Sequence, residues 1–136
     1  MLYGLAVGIG LLVLGPIITC AAAEPVAFEV PLDSDGIQRA VVEADSYEFS
    51  PRHLVVRAGK PVELSVKSVT VLVPHNFLID DPKSGLAIRE EISAGQTVKI
   101  TFTPTVPGSF AIYCDKKLLF FKSHREKGME GVLEVR

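Results

Sequence analysis

Tryptophan is absent from this chain of 136 residues, and cysteine and methionine occur only twice each. Two cysteines, Cys20 and Cys114, exclude a disulfide-stapled scaffold. Cys20 lies in an apolar leader, so a processed chain keeps Cys114 alone, and a lone thiol in an exported protein calls for an explanation. Apart from Met1 the sole methionine is Met129, so methionine is not serving here as scattered core filler. Charge of one sign is also missing. Fourteen basic and sixteen acidic residues give a net charge of −2, which argues against a nucleic-acid binder. There is no internal repeat, no low-complexity tract and no long helical period. No general acid/base pair or nucleophilic triad supports an enzyme.

The first 23 residues carry no charged side chain. Residues 2–19 form an apolar run, followed by Cys20-Ala-Ala-Ala23-Glu24-Pro25. Ala21-x-Ala23 before Glu24 suits a signal peptidase, although no basic residue precedes the run. Residues 1–23 are therefore read as a signal peptide or membrane anchor, and residues 24–136 as one domain. A cleaved signal is preferred. A run of about 18 apolar residues also suffices to span a bilayer, and Cys20 could carry an acyl chain as a lipoprotein. A membrane tether through residues 2–19 or Cys20 thus stays open. All three readings place the domain outside the cytoplasm, in the periplasm or an equivalent compartment.

From Glu24 onward the pattern is short strands between turn signals. Strands are expected at Val26 to Val30, Gln38 to Glu43, Leu54 to Val56 and Val62 to Lys67. Further strands are expected at Val69 to Val73, Phe77 to Ile79, Leu86 to Ile92, Gln96 to Phe102, Ser109 to Cys114 and Gly131 to Arg136. Val62-Glu-Leu64-Ser-Val66 alternates, so one face is buried and one wet. Val69 to Val73 is apolar except for Thr70, which suits a strand buried on both faces. The expected fold is all-β, a Greek-key β-sandwich or barrel of about eight strands.

Chemistry concentrates near the end of the chain. Cys114 closes a strand, and His124 and Met129 follow in the loop before the last strand. His75, in Pro74-His75-Asn76-Phe77, closes the set from a separate segment. One thiolate, two imidazoles and a weak thioether suit an ion that cycles between Cu(I) and Cu(II), because that ligand set is tolerable to both states. Such a site needs ligands fixed in advance, which a rigid sandwich provides. Zinc would not need Met129, and structural zinc usually takes a fourth Cys or His. A binuclear copper centre would need a second cysteine in the loop. Ser123-His-Arg-Glu126 has capping-box spacing, so His124 is expected to open a helical turn that ends at Gly128. His53, beside Arg52, is read as a surface residue.

These segments carry a resemblance. The chain from Val41 to Arg136 resembles the cupredoxins, the small blue-copper proteins that include plastocyanin, azurin and rusticyanin. Phe49-Ser-Pro51-x-x-Leu54-x-Val56-x-x-Gly59-x-x-Val62 is similar to the family's early strand pair. Pro74-His75-Asn76-Phe77 is similar to its first-ligand segment, and Pro107-Gly108-x-Phe110-x-x-Tyr113-Cys114 to its approach to the thiolate. His124-x-x-x-Gly128-Met129-x-Gly131-x-Leu133-x-Val135 is similar to its ending. The resemblance implies one copper ion with Cys114 as equatorial thiolate, His75 and His124 as imidazole ligands and Met129 as axial ligand. It also implies that Asn76 ties the two ligand-bearing segments together. Nine residues separate Cys114 from His124. The family has a much shorter spacing there, so the additional residues are expected to bulge out around Lys116 to Lys122.

The function implied is one-electron transfer between protein redox partners by a monomer. Residues 115–130 carry five basic and three acidic side chains, a rim suited to an acidic partner surface. Leu118-Leu-Phe-Phe121 has two readings, an exposed docking patch or a lid folded back over the metal. The main alternative function is periplasmic copper handling, that is storage, delivery or resistance. A weaker one is an accessory or sensor domain of a membrane complex.

Overall fold

The structure is a computed structural model that describes residue 15 and residues 26–136. The leader apart from residue 15, the signal-peptidase site and Cys20 lie outside the described residues. Among the described residues no helix is long and apolar enough to cross a membrane.

Among the described residues ten strands form two sheets. They are β1 (Phe28–Glu29), β2 (Gln38–Asp45), β3 (Glu48–Ser50), β4 (His53–Val56), β5 (Val62–Ser68), β6 (His75–Asp81), β7 (Leu86–Ile92), β8 (Thr97–Phe102), β9 (Gly108–Tyr113) and β10 (Glu130–Val135). One sheet has the order β1-β4-β10-β9-β6-β7 and the other β3-β2-β5-β8. The expected β-sandwich is thus present, with ten strands rather than about eight. β1 falls inside the strand expected at Val26 to Val30 but keeps only two residues, and β3, three residues long, is the one strand not expected, too short to carry a sequence period.

Alternation explains the four-stranded sheet. In β5, Val62, Leu64 and Val66 are buried while Glu63 and Ser65 are half-exposed, and the strand pairs in register with β2 and β8. The inward residues meet Leu54, Phe77, Ile79, Ile112 and Leu133 from the other sheet in one core. Phe49 meets Phe77 edge-on, with ring centroids 5.6 Å apart. Burying each such Leu or Phe contributes roughly 1.5–3 kcal/mol.

One expected strand is absent. Residues 69–73 form a bend, and Val71 and Leu72 are both 87% exposed. The Thr70 hydroxyl donates to the Val73 carbonyl at 2.7 Å, which curls the chain where a ladder would need it extended. Pro74 then supplies no N–H. The run buried at every position lies one step later, at His75–Ile79 in β6.

This topology sets up the site. β6 and β9 are antiparallel neighbours with Leu78 opposite Tyr113. Continuing that register places Asn76 beside Asp115, so the start of β6 meets the end of β9 at one rim of the sandwich. β10 then passes so close to β4 that Val132 N–H donates to the Arg52 carbonyl at 2.7 Å.

A Cβ on Gly131 would lie 2.4 Å from the Arg52 carbonyl oxygen. Gly131→Ala is therefore expected to destabilise the fold by about 1–3 kcal/mol. A urea midpoint equal to that of the unaltered protein would contradict this.

Candidate metal centre

The site is assembled from strand ends and one long loop. His75 opens β6 and is fully buried, as is Cys114, which follows β9; His124 is 9% exposed. One donor atom from each of the three lies within 4.8 Å of the others. Cys114 Sγ is 3.4 Å from His124 Nδ1, and the two imidazole centroids are 5.2 Å apart. Met129 is fully buried in the same core cluster as Cys114.

Backbone bonds lock the loop that carries three of these residues. Cys114 N–H donates to the Met129 carbonyl at 3.2 Å, and Met129 N–H to the His124 carbonyl at 2.9 Å. His124 N–H donates to the Lys116 carbonyl at 2.8 Å, pinching off the intervening residues as an outward excursion. Inside that ring a single 3-10 turn spans Arg125–Lys127 and ends at Gly128, whose φ of +102° lies in the left-handed region that glycine favours. Ser123 and Glu126 cap it reciprocally. Ser123 N–H donates to the Glu126 carboxylate at 2.7 Å, and Glu126 N–H to Ser123 Oγ at 3.2 Å. The Arg125 guanidinium stacks 4.0 Å over the Tyr113 ring and pairs with Glu130.

Asn76 joins the two halves. Its side-chain Nδ2 donates to Asp115 Oδ1 at 2.7 Å, and Asp115 N–H donates back to Asn76 Oδ1 at 3.0 Å. Its backbone N–H donates to Cys114 Sγ at 3.4 Å. Asp115 is held below the usual carboxylate range, chiefly by the Asn76 amide, and Arg89 adds an ion pair at 3.1 Å.

His75 shows which nitrogen faces the site. Thr70 Oγ1 lies 3.3 Å from His75 Nε2 and already donates its proton to Val73. The hydroxyl therefore accepts from Nε2–H, which leaves Nδ1 as the unprotonated nitrogen. Nδ1 is the one buried side-chain polar atom among the described residues with no hydrogen-bond partner. Burial, with the His124 imidazole second, pushes the His75 pKa down to about 4. Burial also lowers His124, aided by Lys127 and Lys116. Both rings are thus neutral, as a metal ligand must be. Burial pushes the Cys114 thiol up, opposed by the Asn76 N–H.

An orphaned imidazole nitrogen, a second neutral imidazole and a buried sulfur fit a borderline-to-soft cation, and no carboxylate joins them as magnesium or calcium would require. The set fits one copper ion. Sequence reasoning missed Thr70, Asp115 and Tyr47. Tyr47 stands edge-on to His124 at 4.9 Å and is itself covered by Lys127, whose ammonium donates to its hydroxyl at 3.1 Å. Only Thr70 gave a signal, as the one polar residue in an apolar run. His53 is half-buried rather than on the surface, because its Nε2 meets Glu134 at 3.0 Å, and it takes no part in the site.

Residues 11–131 match the family described as cupredoxin-like domain. Among solved structures, the chain is similar to the metal-binding domain of the Cu(I)-exporting P-type ATPase CopA of Streptococcus pneumoniae D39. The identity is 21%, over 84% of this chain and 99% of that one, with a TM-score of 0.62. It is similar to reduced auracyanin from Roseiflexus castenholzii at 16% identity, over 72% of this chain and 96% of that one, with a TM-score of 0.60. Auracyanin B is 21% identical over 79% of this chain and 94% of that one, with a TM-score of 0.57. At these identities the likeness is one of fold. No curated protein matches.

The unfolded chain binds a proton at His75 near pH 6.5, while the folded, metal-free chain resists until about pH 4. This contribution to metal-free stability is full above pH 6.5 and is lost as pH falls towards 4. An NMR titration of the His75 ring checks it; an ordinary midpoint near 6.5 would contradict the buried, unpartnered geometry.

Proposed function

We propose that this chain, a member of the cupredoxin-like family, is an exported carrier of single electrons that holds one copper ion through His75, Cys114, His124 and Met129. The observation that carries the reading is the unpartnered His75 Nδ1, buried and within 4.8 Å of the Cys114 and His124 donor atoms. When bound, copper supplies a one-electron couple between Cu(I) and Cu(II).

The chain's own residues account for the rest. Thr70 fixes the His75 tautomer and ring orientation. The Asn76 N–H favours negative charge on the Cys114 sulfur, opposing the effect of burial. Asn76 and Asp115 hold the two ligand segments in register. The backbone ring through Cys114, Met129, His124 and Lys116 keeps the loop from adjusting when the charge of the site changes. A site that barely rearranges exchanges electrons with little reorganisation. His124 is the donor nearest solvent, at the wall of a cleft of about 310 Å³ shared with Tyr47, Leu72, Leu118 and Lys122. That edge is the route for electrons, and no substrate chemistry is assigned to it. The lysines around it complement an acidic redox partner and raise its encounter rate.

Copper handling is the second reading, favoured by the Cu(I)-bound metal-binding domain among the similar structures. It requires metal that leaves easily, which the burial of His75, Cys114 and Met129 opposes. Mixtures of oxidised and reduced copper protein are expected to show fast electron self-exchange by NMR line broadening, and the loaded protein to keep its copper against a chelator. Encounter with an acidic partner should slow as salt rises. Slow self-exchange with ready loss of copper would favour the handler instead.

A further inference from the structure

The excursion between Lys116 and His124 is pinched off from the metal site by the backbone bond that joins its two ends. Its tip is the Leu118–Phe121 turn, closed by Phe121 N–H donating to the Leu118 carbonyl at 3.0 Å, with Leu119 at a φ of +50°. The four side chains do not fold back over the site. Their exposure runs from 52% at Phe121 to 84% at Phe120. Leu72 shares the cleft wall with Leu118 and Phe121, so the exposed Val71-Leu72 bend adds to the same apolar surface. No carboxylate occurs between Asp115 and Glu126, nor between Lys67 and Asp80. Lys116 pairs with Glu91, while Lys117 and Lys122, on the two flanks of the tip, form no ion pair among the described residues.

We propose that this rim docks on an anionic lipid bilayer. Leu118 to Phe121, with Val71 and Leu72, enter the boundary between headgroups and acyl chains, and Lys117 and Lys122 lie among the lipid phosphates. Three observations select this occupant. The tip is a projecting turn of consecutive large apolar side chains, and a bilayer accepts such a shape without a matching pocket. The two residues flanking the tip, Lys117 and Lys122, are both positive, with Glu126 the carboxylate that faces them, and they complement anionic headgroups. A second copy docked on the same surface would bring lysines against lysines, which like charge disfavours. The His124 edge would then face the membrane plane, so an acidic redox partner would be met at the bilayer. The inference goes beyond the copper reading, and its test reads lipid contact rather than electron transfer, so either can fail alone.

The absence of tryptophan makes the test direct. In the full, copper-loaded chain, Phe120→Trp places the only indole at the tip. Val106→Trp places it in the loop before β9, at the opposite end from Cys114. Each is mixed with vesicles of phosphatidylcholine alone or of equal parts phosphatidylcholine and phosphatidylglycerol. Any tether through residues 2–19 is common to both variants. The Phe120→Trp emission is expected to shift to the blue and to be quenched by brominated acyl chains in the anionic vesicles, while Val106→Trp stays unchanged. Adding Lys117→Glu and Lys122→Glu should lower the lipid dependence of the tip signal by more than about tenfold. The proposal is overturned if the Phe120→Trp emission ignores anionic vesicles, or if both indoles shift alike. A shift without lipid that grows with protein concentration would assign the surface to a second copy. Protection only on mixing with a redox protein would assign it to that protein.

Discussion

The paired hydrogen bonds between Asn76 and Asp115 join the start of one strand to the end of its neighbour, and the site depends on that joint. With Leu78 opposite Tyr113 the register leaves Asn76 facing Asp115, and the amide and carboxylate close the ladder that the strands themselves have ended. The same residue turns its backbone N–H to the Cys114 sulfur. The pairing thus holds the start of β6, which carries His75, against the end of β9, which Cys114 follows.

The site also holds a deliberate imbalance. Buried polar atoms normally find partners, yet His75 Nδ1 has none and the Cys114 thiol is pushed away from ionisation. Each is a cost to the metal-free fold that a cation held there would offset, by taking the lone pair and stabilising the thiolate. Thr70 occupies the other His75 nitrogen, and Tyr47 stands against His124. Binding and stiffness thus come from the same contacts. The long excursion after Lys116 does not disturb them, because the Lys116–His124 backbone bond returns the chain to the site at His124.

Where a pattern repeats, the fold is readable from sequence: Val62-x-Leu64-x-Val66 and the strands after it sit where alternation puts them. Val69 to Val73 misleads because periodicity cannot see Thr70 bending its own backbone, and β3 is too short to show a period. His75, Cys114, His124 and Met129 are conspicuous through their rarity and spacing, and Asn76 through its place beside His75. Thr70, Tyr47 and Asp115 act across space on partners that no local pattern pairs with them. The direction of Leu118 to Phe121 was likewise open, since apolar composition suits a lid and a docking tip equally.

The most direct measurement is the visible absorption spectrum of the Cu(II)-loaded protein beside that of Cys114→Ser. A site with the Cys114 sulfur between two neutral imidazoles predicts an intense thiolate-to-copper band that bleaches on reduction and vanishes in the mutant. A colourless Cu(II) protein, or a band that survives in Cys114→Ser, would contradict it.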